Sequence, residues 1–232
     1  MIRFVYFDAG GTLIAPSPSV GAVYAAAGRP HGLKVSDAGM DAAFRAEWPA
    51  HAASLGIRVL SRGLDDESTR GWWRALVYQV LERVGFEGDQ EACFLACYEA
   101  FALPSAWRIF EDTLPALEAL AAKGLPMGVL SNWDYRLAPL LDALDLSRWF
   151  GPVLISALEG VEKPDPEIFL RAAQRVGLTP AEIAYVGDHP SLDLDPALAL
   201  GMQAFLIDRA GRSDSPHAIR RLDELPSRLN RP

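Results

Sequence analysis

Positions 2–7 read Ile-Arg-Phe-Val-Tyr-Phe, β-branched or aromatic at five of six places, and the run stops at Asp8-Ala9-Gly10-Gly11-Thr12. A short apolar run closed by Gly and a polar cluster predicts a buried strand that feeds a loop. Between residues 16 and 103 the pattern changes. Ala-rich amphipathic stretches over 20–27, 36–55, 65–84 and 89–102 are separated by Gly and Pro, and none has strand character. That portion predicts a bundle of helices.

From residue 107 onward the periods alternate. Helices are expected over 111–123, 135–144, 166–176 and 194–200, and strands over 126–131, 153–156, 183–187 and 203–207. Strands alternating with helices imply a parallel sheet covered on both faces. The fold class is therefore α/β: a Rossmann-like parallel-sheet domain of residues 1–15 and 105–232, interrupted by an inserted helical domain over 16–104. No internal repeat is visible.

Composition narrows the function more than the fold. Of 232 residues 50% are hydrophobic and 22% charged, which sets aside disordered and low-complexity chains. Lys plus Arg number 22 against 30 Asp plus Glu, a net charge of -8 without a basic cluster. Neither nucleic acid nor an anionic membrane is an expected partner. The uncharged stretch 9–28 is broken by four Gly and two Pro, so it is no membrane span. Asp8 cuts the N-terminal apolar run short, and no signal peptide is expected. Cys93 and Cys97 alone build neither a disulfide framework nor a zinc site, and a cytoplasmic location fits them. At i and i+4 they suit small core positions. Trp72 and Trp73, adjacent on a helix, cannot both face one core.

Ligands of open parallel sheets bind beyond the carboxyl ends of the strands. Asp8 follows the first strand, Ser131 and Asn132 close the second, and Asp188 follows the strand over 183–187. Lys163 lies in a Glu-Lys-Pro-Asp-Pro loop ahead of a helix. Topology thus brings together two carboxylates, a hydroxyl and an ammonium. Simpler uses exist for several of them: Ser131 suits a helix cap, Lys163 a solvated charge, and Asp193 the N-terminus of a helix.

In order, Asp8-Ala-Gly-Gly-Thr-Leu, Val-Leu-Ser131-Asn, Lys163-Pro-Asp-Pro and Val-Gly-Asp188-His-Pro-Ser-Leu-Asp193 resemble the four motifs of the haloacid dehalogenase-like (HAD) hydrolase superfamily. The segment over 16–104 is similar to that superfamily's helical cap, with Tyr24, His31-Gly-Leu and Trp72-Trp73 extending the likeness. The resemblance implies a phosphatase acting on a small phosphorylated molecule, with Asp8 as nucleophile and an aspartyl phosphate as intermediate. It implies Mg²⁺ held by Asp8, the Gly10 carbonyl and Asp188, with Asp193 assisting, and substrate contacts from Thr12, Ser131, Asn132 and Lys163.

One departure matters. Phosphatases of this superfamily carry a second Asp two residues after the nucleophile, to protonate the leaving group, and here that position is Gly10. The missing step is worth about 10² to 10⁴ in rate. Phosphate esters with good leaving groups should therefore react best, with His189 the first candidate for a substitute acid. If Gly10 holds a positive φ, a side chain there also costs stability. A 2-haloacid dehalogenase, whose leaving halide needs no proton, and an idle binding protein of the same fold are the alternatives. Asp188 and Asp193 favour a metal-dependent site over the first of these.

Overall fold

All four residues of strand β1 (Phe4–Phe7) are buried, as a strand covered on both faces requires. A computed structural model describes residues 1–54 and 66–229 of the chain. After β1 come a short strand β2 (Ile14–Pro16) and four helices: α1 (Val20–Gly28), α2 (Asp37–Ser54), α3 (Asp66–Arg83) and α4 (Gln90–Ala100). Strand β3 (Trp107–Ile109) pairs with β2 in a two-stranded sheet. The alternating portion follows as α5 (Thr113–Ala122), β4 (Met127–Ser131), α6 (Leu137–Ala143), β5 (Phe150–Ile155), α7 (Ser156–Glu159) and α8 (Pro166–Arg175). It closes with β6 (Ile183–Gly187), α9 (Asp195–Ala199), β7 (Gln203–Ile207), β8 (Ala218–Ile219) and α10 (Leu225–Arg228).

Two compact units result, one of residues 1–14 and 109–232 and one of residues 15–108. In the first, six strands run in the order β5-β4-β1-β6-β7-β8, and every pairing is parallel. Phe7 is level with Val129 of β4 on one side and Val186 of β6 on the other. The order reverses at β1, so the carboxyl ends of β1, β4 and β6 meet at a topological switch point.

The sheet holds its helices through a common apolar layer. Tyr6, Leu130, Ile168, Phe169, Ala172 and Tyr185 pack in one buried cluster. The Tyr6 hydroxyl donates to the Ala172 carbonyl at 2.9 Å, fastening α8 to β1. Pro166 opens α8, and Asp165 caps it by accepting from the Glu167 N–H, an N-terminal pattern that needs no donor at the first position. Phe169 is fully buried with its ring 5.2 Å from that of Tyr185, and truncating such a side chain costs about 3–5 kcal/mol.

The helical unit has its own core of Tyr24, Met40, Leu76, Val80, Phe94 and their neighbours. Ser19 caps α1 by accepting from Ala22 N–H and donates to Asp41, whose other oxygen accepts from Gly21 N–H, so α1 and α2 share one polar clasp. Cys93 and Cys97 are free and buried inside this core. Trp72 is buried, while Trp73 stacks on Trp48 at 6.2 Å.

The strands over 183–187 and 203–207 have the bounds the pattern predicts, and other elements differ by a few residues at their ends. Leu55 and Asp65, the outer ends of two expected helices, lie outside the described residues. The pattern did not contain β2, β3 and β8. At three, three and two residues they are too short to display a period. The helix expected over 194–200 begins with a wide π-type turn at 190–194 and becomes regular only at Asp195. Among the described residues no helix is long and apolar enough to cross a membrane.

Candidate active site

The Asp8 N–H donates to the Val186 carbonyl at 2.8 Å, extending the β1–β6 ladder by one bond before the chain turns. The Leu13 and Ile14 N–H groups then donate back to the Ala9 carbonyl, and Gly11 N–H to Ile14. This tight loop needs a left-handed residue, and Gly11 supplies it at φ 79°. A methyl group on Gly11 would sit 2.1 Å from Asp188 Oδ2. The positive φ considered for Gly10 therefore belongs to Gly11, the residue that lets the loop lie against Asp188.

The expected residues at the ends of β1, β4 and β6, with Lys163, converge. Asp8 Oδ1 accepts from Ser131 Oγ and from Lys163 Nζ, both at 2.8 Å. Asp8 Oδ2 has no hydrogen bond from a described residue. Lys163 Nζ also reaches Asp193 Oδ1 at 2.5 Å and the Tyr185 hydroxyl at 2.9 Å. Asp193 Oδ2 accepts from the His189 N–H at 2.9 Å. One oxygen from each of Asp8, Asp188 and Asp193 lies within 4.8 Å of the others. The wide turn over 190–194 carries Asp193 back under β6, and such turns recur at functional sites.

Electrostatics follows from this crowding. Burial pushes the Asp8 carboxyl up, Lys163 opposes that, and Asp193 adds to it; the result is above the ordinary value. Asp188 faces solvent yet is hemmed in by protein. Loss of hydration, then the charges of Asp8 and Asp193, push its pKa up to about 7. Burial works against the Lys163 ammonium, but the Asp193 and Asp8 carboxylates outweigh it and hold the group firmly charged.

Other expected residues sit differently. Asn132 gives its whole amide to Lys163, its Nδ2 donating to the Lys163 carbonyl and its Oδ1 accepting the Lys163 N–H, each at 2.8 Å. It thus braces the lysine's backbone. Thr12 is fully buried, and its hydroxyl has no partner among the described residues. His189 caps the turn it precedes, with Nδ1 accepting from Leu192 N–H at 3.3 Å.

Three functional neighbours escaped the sequence reading. Tyr185, inside β6, holds its hydroxyl 2.9 Å from Asp193 Oδ1 and 3.1 Å from the Leu130 carbonyl. Its own signal was available: a Tyr in a strand buried on both faces needs a buried partner for its hydroxyl. Trp133 lies beside Gly10. Arg209 donates to the Thr12 carbonyl at 2.8 Å from a loop after β7.

A switch-point aspartate, a strand-end serine, a loop lysine and a carboxylate pair after the next strand make up a HAD-type hydrolase core. The model of the haloacid dehalogenase-like hydrolase family matches residues 2–201, and the chain belongs to that family. It is 35% identical over 227 residues to haloacid dehalogenase-like hydrolase domain-containing protein 3 of Mus musculus, covering 97% of this chain and 88% of the relative. A HAD phosphatase from Thermococcus onnurineus superposes with a TM-score of 0.64 at 26% identity, covering 97% of each chain. A 2-haloacid dehalogenase from Pseudomonas syringae pv. Tomato DC3000 does so with a TM-score of 0.64 at 26% identity, covering 98% of this chain and 97% of the other.

Proposed function

We propose that this hydrolase is a Mg²⁺-dependent phosphatase that acts on a small phosphorylated molecule through an aspartyl phosphate on Asp8, without a protein acid at Gly10. The cluster at the ends of β1, β4 and β6 carries the reading. Asp8, Asp188 and Asp193 against Lys163 leave an excess of two negative charges, three minus one. Burial first, and the neighbouring carboxylates after it, raise the pKa values of Asp8 and Asp188. An all-oxygen anionic donor set fits a hard dication. Asp8, Asp188 and the Gly10 carbonyl would hold it. Asp193, whose oxygens already serve Lys163, Tyr185 and His189 N–H, would support it from behind. When bound, Mg²⁺ offsets the carboxylate charge and that of the phosphoryl group.

The chain's own residues then divide the work. Ser131 and Lys163 fix Asp8 Oδ1, which leaves Oδ2 as the attacking atom. The Lys163 ammonium balances charge on nucleophile and phosphoryl group, and the Ser131 hydroxyl turns to a phosphoryl oxygen, so positioning and electrostatics supply most of the rate. The cytoplasm is the compartment that suits two free, buried cysteines.

Beryllofluoride, a phosphoryl mimic that needs no acid, is expected to bind by calorimetry only with Mg²⁺ present. Asp8→Asn, nearly isosteric, should abolish that binding and any turnover of p-nitrophenyl phosphate while the circular dichroism spectrum stays unchanged. Gly10 also suits the dehalogenase chemistry of one structural relative, since a halide leaves without a proton. Metal-independent, Asp8-dependent release of chloride from 2-chloropropionate would establish that second reading and overturn the first.

A further inference from the structure

Most of the protonatable side chains that surround Asp8 are committed. Lys163 is ion-paired twice, both oxygens of Asp193 accept hydrogen bonds, and the Tyr185 hydroxyl is buried in their network. Asp188 would hold the cation on the phosphatase reading, and His189 Nδ1 accepts the Leu192 N–H of a cap. Two residues beyond the nucleophile, where a donor could stand on the same loop, Gly10 has no side chain.

That space is filled from another element. A methyl group on Gly10 would meet Trp133 Cζ3 at 3.1 Å and Cη2 at 3.7 Å. The first distance is tighter than ordinary van der Waals contact, so even Ala there presses on the indole. The main chain of Trp133 is firmly held. Its backbone N–H donates to Ser156 Oγ at 3.1 Å, and its backbone carbonyl accepts from Ser156 Oγ and from Ala157 N–H, each at 3.2 Å. Ser156 is fully buried at the start of α7. Two residues before the tryptophan, Ser131 touches the nucleophile itself. The half-buried residue thus sets an apolar wall beside Gly10 from an anchored backbone.

We propose that Trp133 is a specificity-determining residue: it occupies the slot an acid would fill and restricts the enzyme to phosphorylated acidic oxygens on planar groups, namely aryl, enol or acyl phosphates. The inference rests on the phosphatase reading and deepens it. Asp8 Oδ2 bonds to phosphorus as the bond from phosphorus to the leaving oxygen breaks, and the electron pair departs on that oxygen as a phenolate, enolate or carboxylate. Water then attacks phosphorus, the bond to Asp8 breaks, and both water protons leave on dihydrogen phosphate while Asp8 regains its carboxylate. No protein acid enters either step. A leaving group that stays stable as an anion meets the first requirement, and a flat one stacks on the indole.

The test combines kinetics with Mg²⁺ present and a stability cycle that needs no turnover. Wild-type kcat/KM on phenyl and acetyl phosphates should exceed that on ethyl phosphate by about 10² to 10⁴, the range of a missing acid. Trp133→Ala should raise KM for phenyl phosphate about 2- to 10-fold, as expected for a lost stacking contact, and change acetyl phosphate less. Gly10→Asp alone should lower Tm and fail to raise ethyl phosphate turnover. Gly10→Asp with Trp133→Ala should recover Tm and raise ethyl phosphate turnover. Equal wild-type rates on the three esters, or full rescue by Gly10→Asp alone, would overturn the proposal. If no ester or anhydride turns over in the wild type, the phosphatase reading fails and the substrate class with it. Absence of Tm coupling between positions 10 and 133 would separately sink the claim that the indole fills the slot.

Discussion

Arg209 offers a measurable link between the distal part of the sheet domain and the loop that follows Asp8. Its Nη1 meets Asp112 Oδ2 at 2.7 Å, its Nη2 donates to the Thr12 carbonyl at 2.8 Å, and its guanidinium lies 3.7 Å from the centre of the Phe110 ring. Asp112 Oδ2 also accepts from Leu222 N–H at 2.7 Å. The Asp112 side chain is fully buried, and that of Arg209 is 26% exposed. Arg209→Met keeps the apolar bulk and strands a buried carboxylate, which costs 3–5 kcal/mol in a fully buried pair; water reaching the arginine brings this to about 2–3 kcal/mol. For a chain of this size that corresponds to a fall in Tm of roughly 5–10 °C. Burial tends to raise the Asp112 pKa, but Arg209 and the Leu222 N–H outweigh it, so the folded value lies below the ordinary one. Its stabilisation is therefore complete above the unfolded value of about 3.9 and is lost as pH falls through the lower folded value. Wild-type and Arg209→Met melting temperatures should converge in acid. A double-mutant cycle with Asp112→Asn, followed by urea denaturation near neutral pH, should give a coupling above about 1 kcal/mol. Coupling below about 0.5 kcal/mol, the scatter of independent sites, would refute the clamp.

Two further perturbations test the geometry around Asp8. Gly11→Ala places a methyl group 2.1 Å from Asp188 Oδ2 at φ 79°, a strain of about 1–2 kcal/mol before Asp188 is displaced. Calorimetric Mg²⁺ affinity should fall about 10- to 100-fold in the folded variant, and an unchanged affinity would mean that the loop does not set Asp188. Tyr185→Phe removes a hydroxyl shared by Lys163, Asp193 and Leu130. It should cost about 1–3 kcal/mol of stability and lower kcat on p-nitrophenyl phosphate with little change in KM; unaltered kcat would show that the lysine is positioned without it.

Residues became legible in the sequence according to how far their role is carried by local pattern. The runs Phe4–Phe7 and Ile183–Gly187 are buried throughout, and an unbroken apolar run announces itself. Once the sheet is known to be parallel, strand-end residues follow, because topology alone brings Asp8, Ser131 and Asp188 to one edge. The β2–β3 pair stayed hidden because three residues cannot show a period and its partners are about ninety positions apart in the chain. Asn132 was identified by position and yet turned toward a backbone, since the sequence states a residue's place but not the direction of its amide.

Tyr185 and Trp133 show the deeper limit. Each sits inside or next to a recognised motif, and each reads there as an ordinary apolar neighbour. What makes them consequential is a contact across the fold: Tyr185 with Lys163 and Asp193, Trp133 with the bare face of Gly10. A missing side chain is legible as an absence in the sequence, but the physical meaning of the absence depends on what enters the space. Water beside Gly10 would leave a proton source within reach. An indole carried on a backbone that Ser156 and Ala157 hold stands there instead, and on the phosphatase reading it turns the loss of an acid into a constraint on which leaving groups can depart.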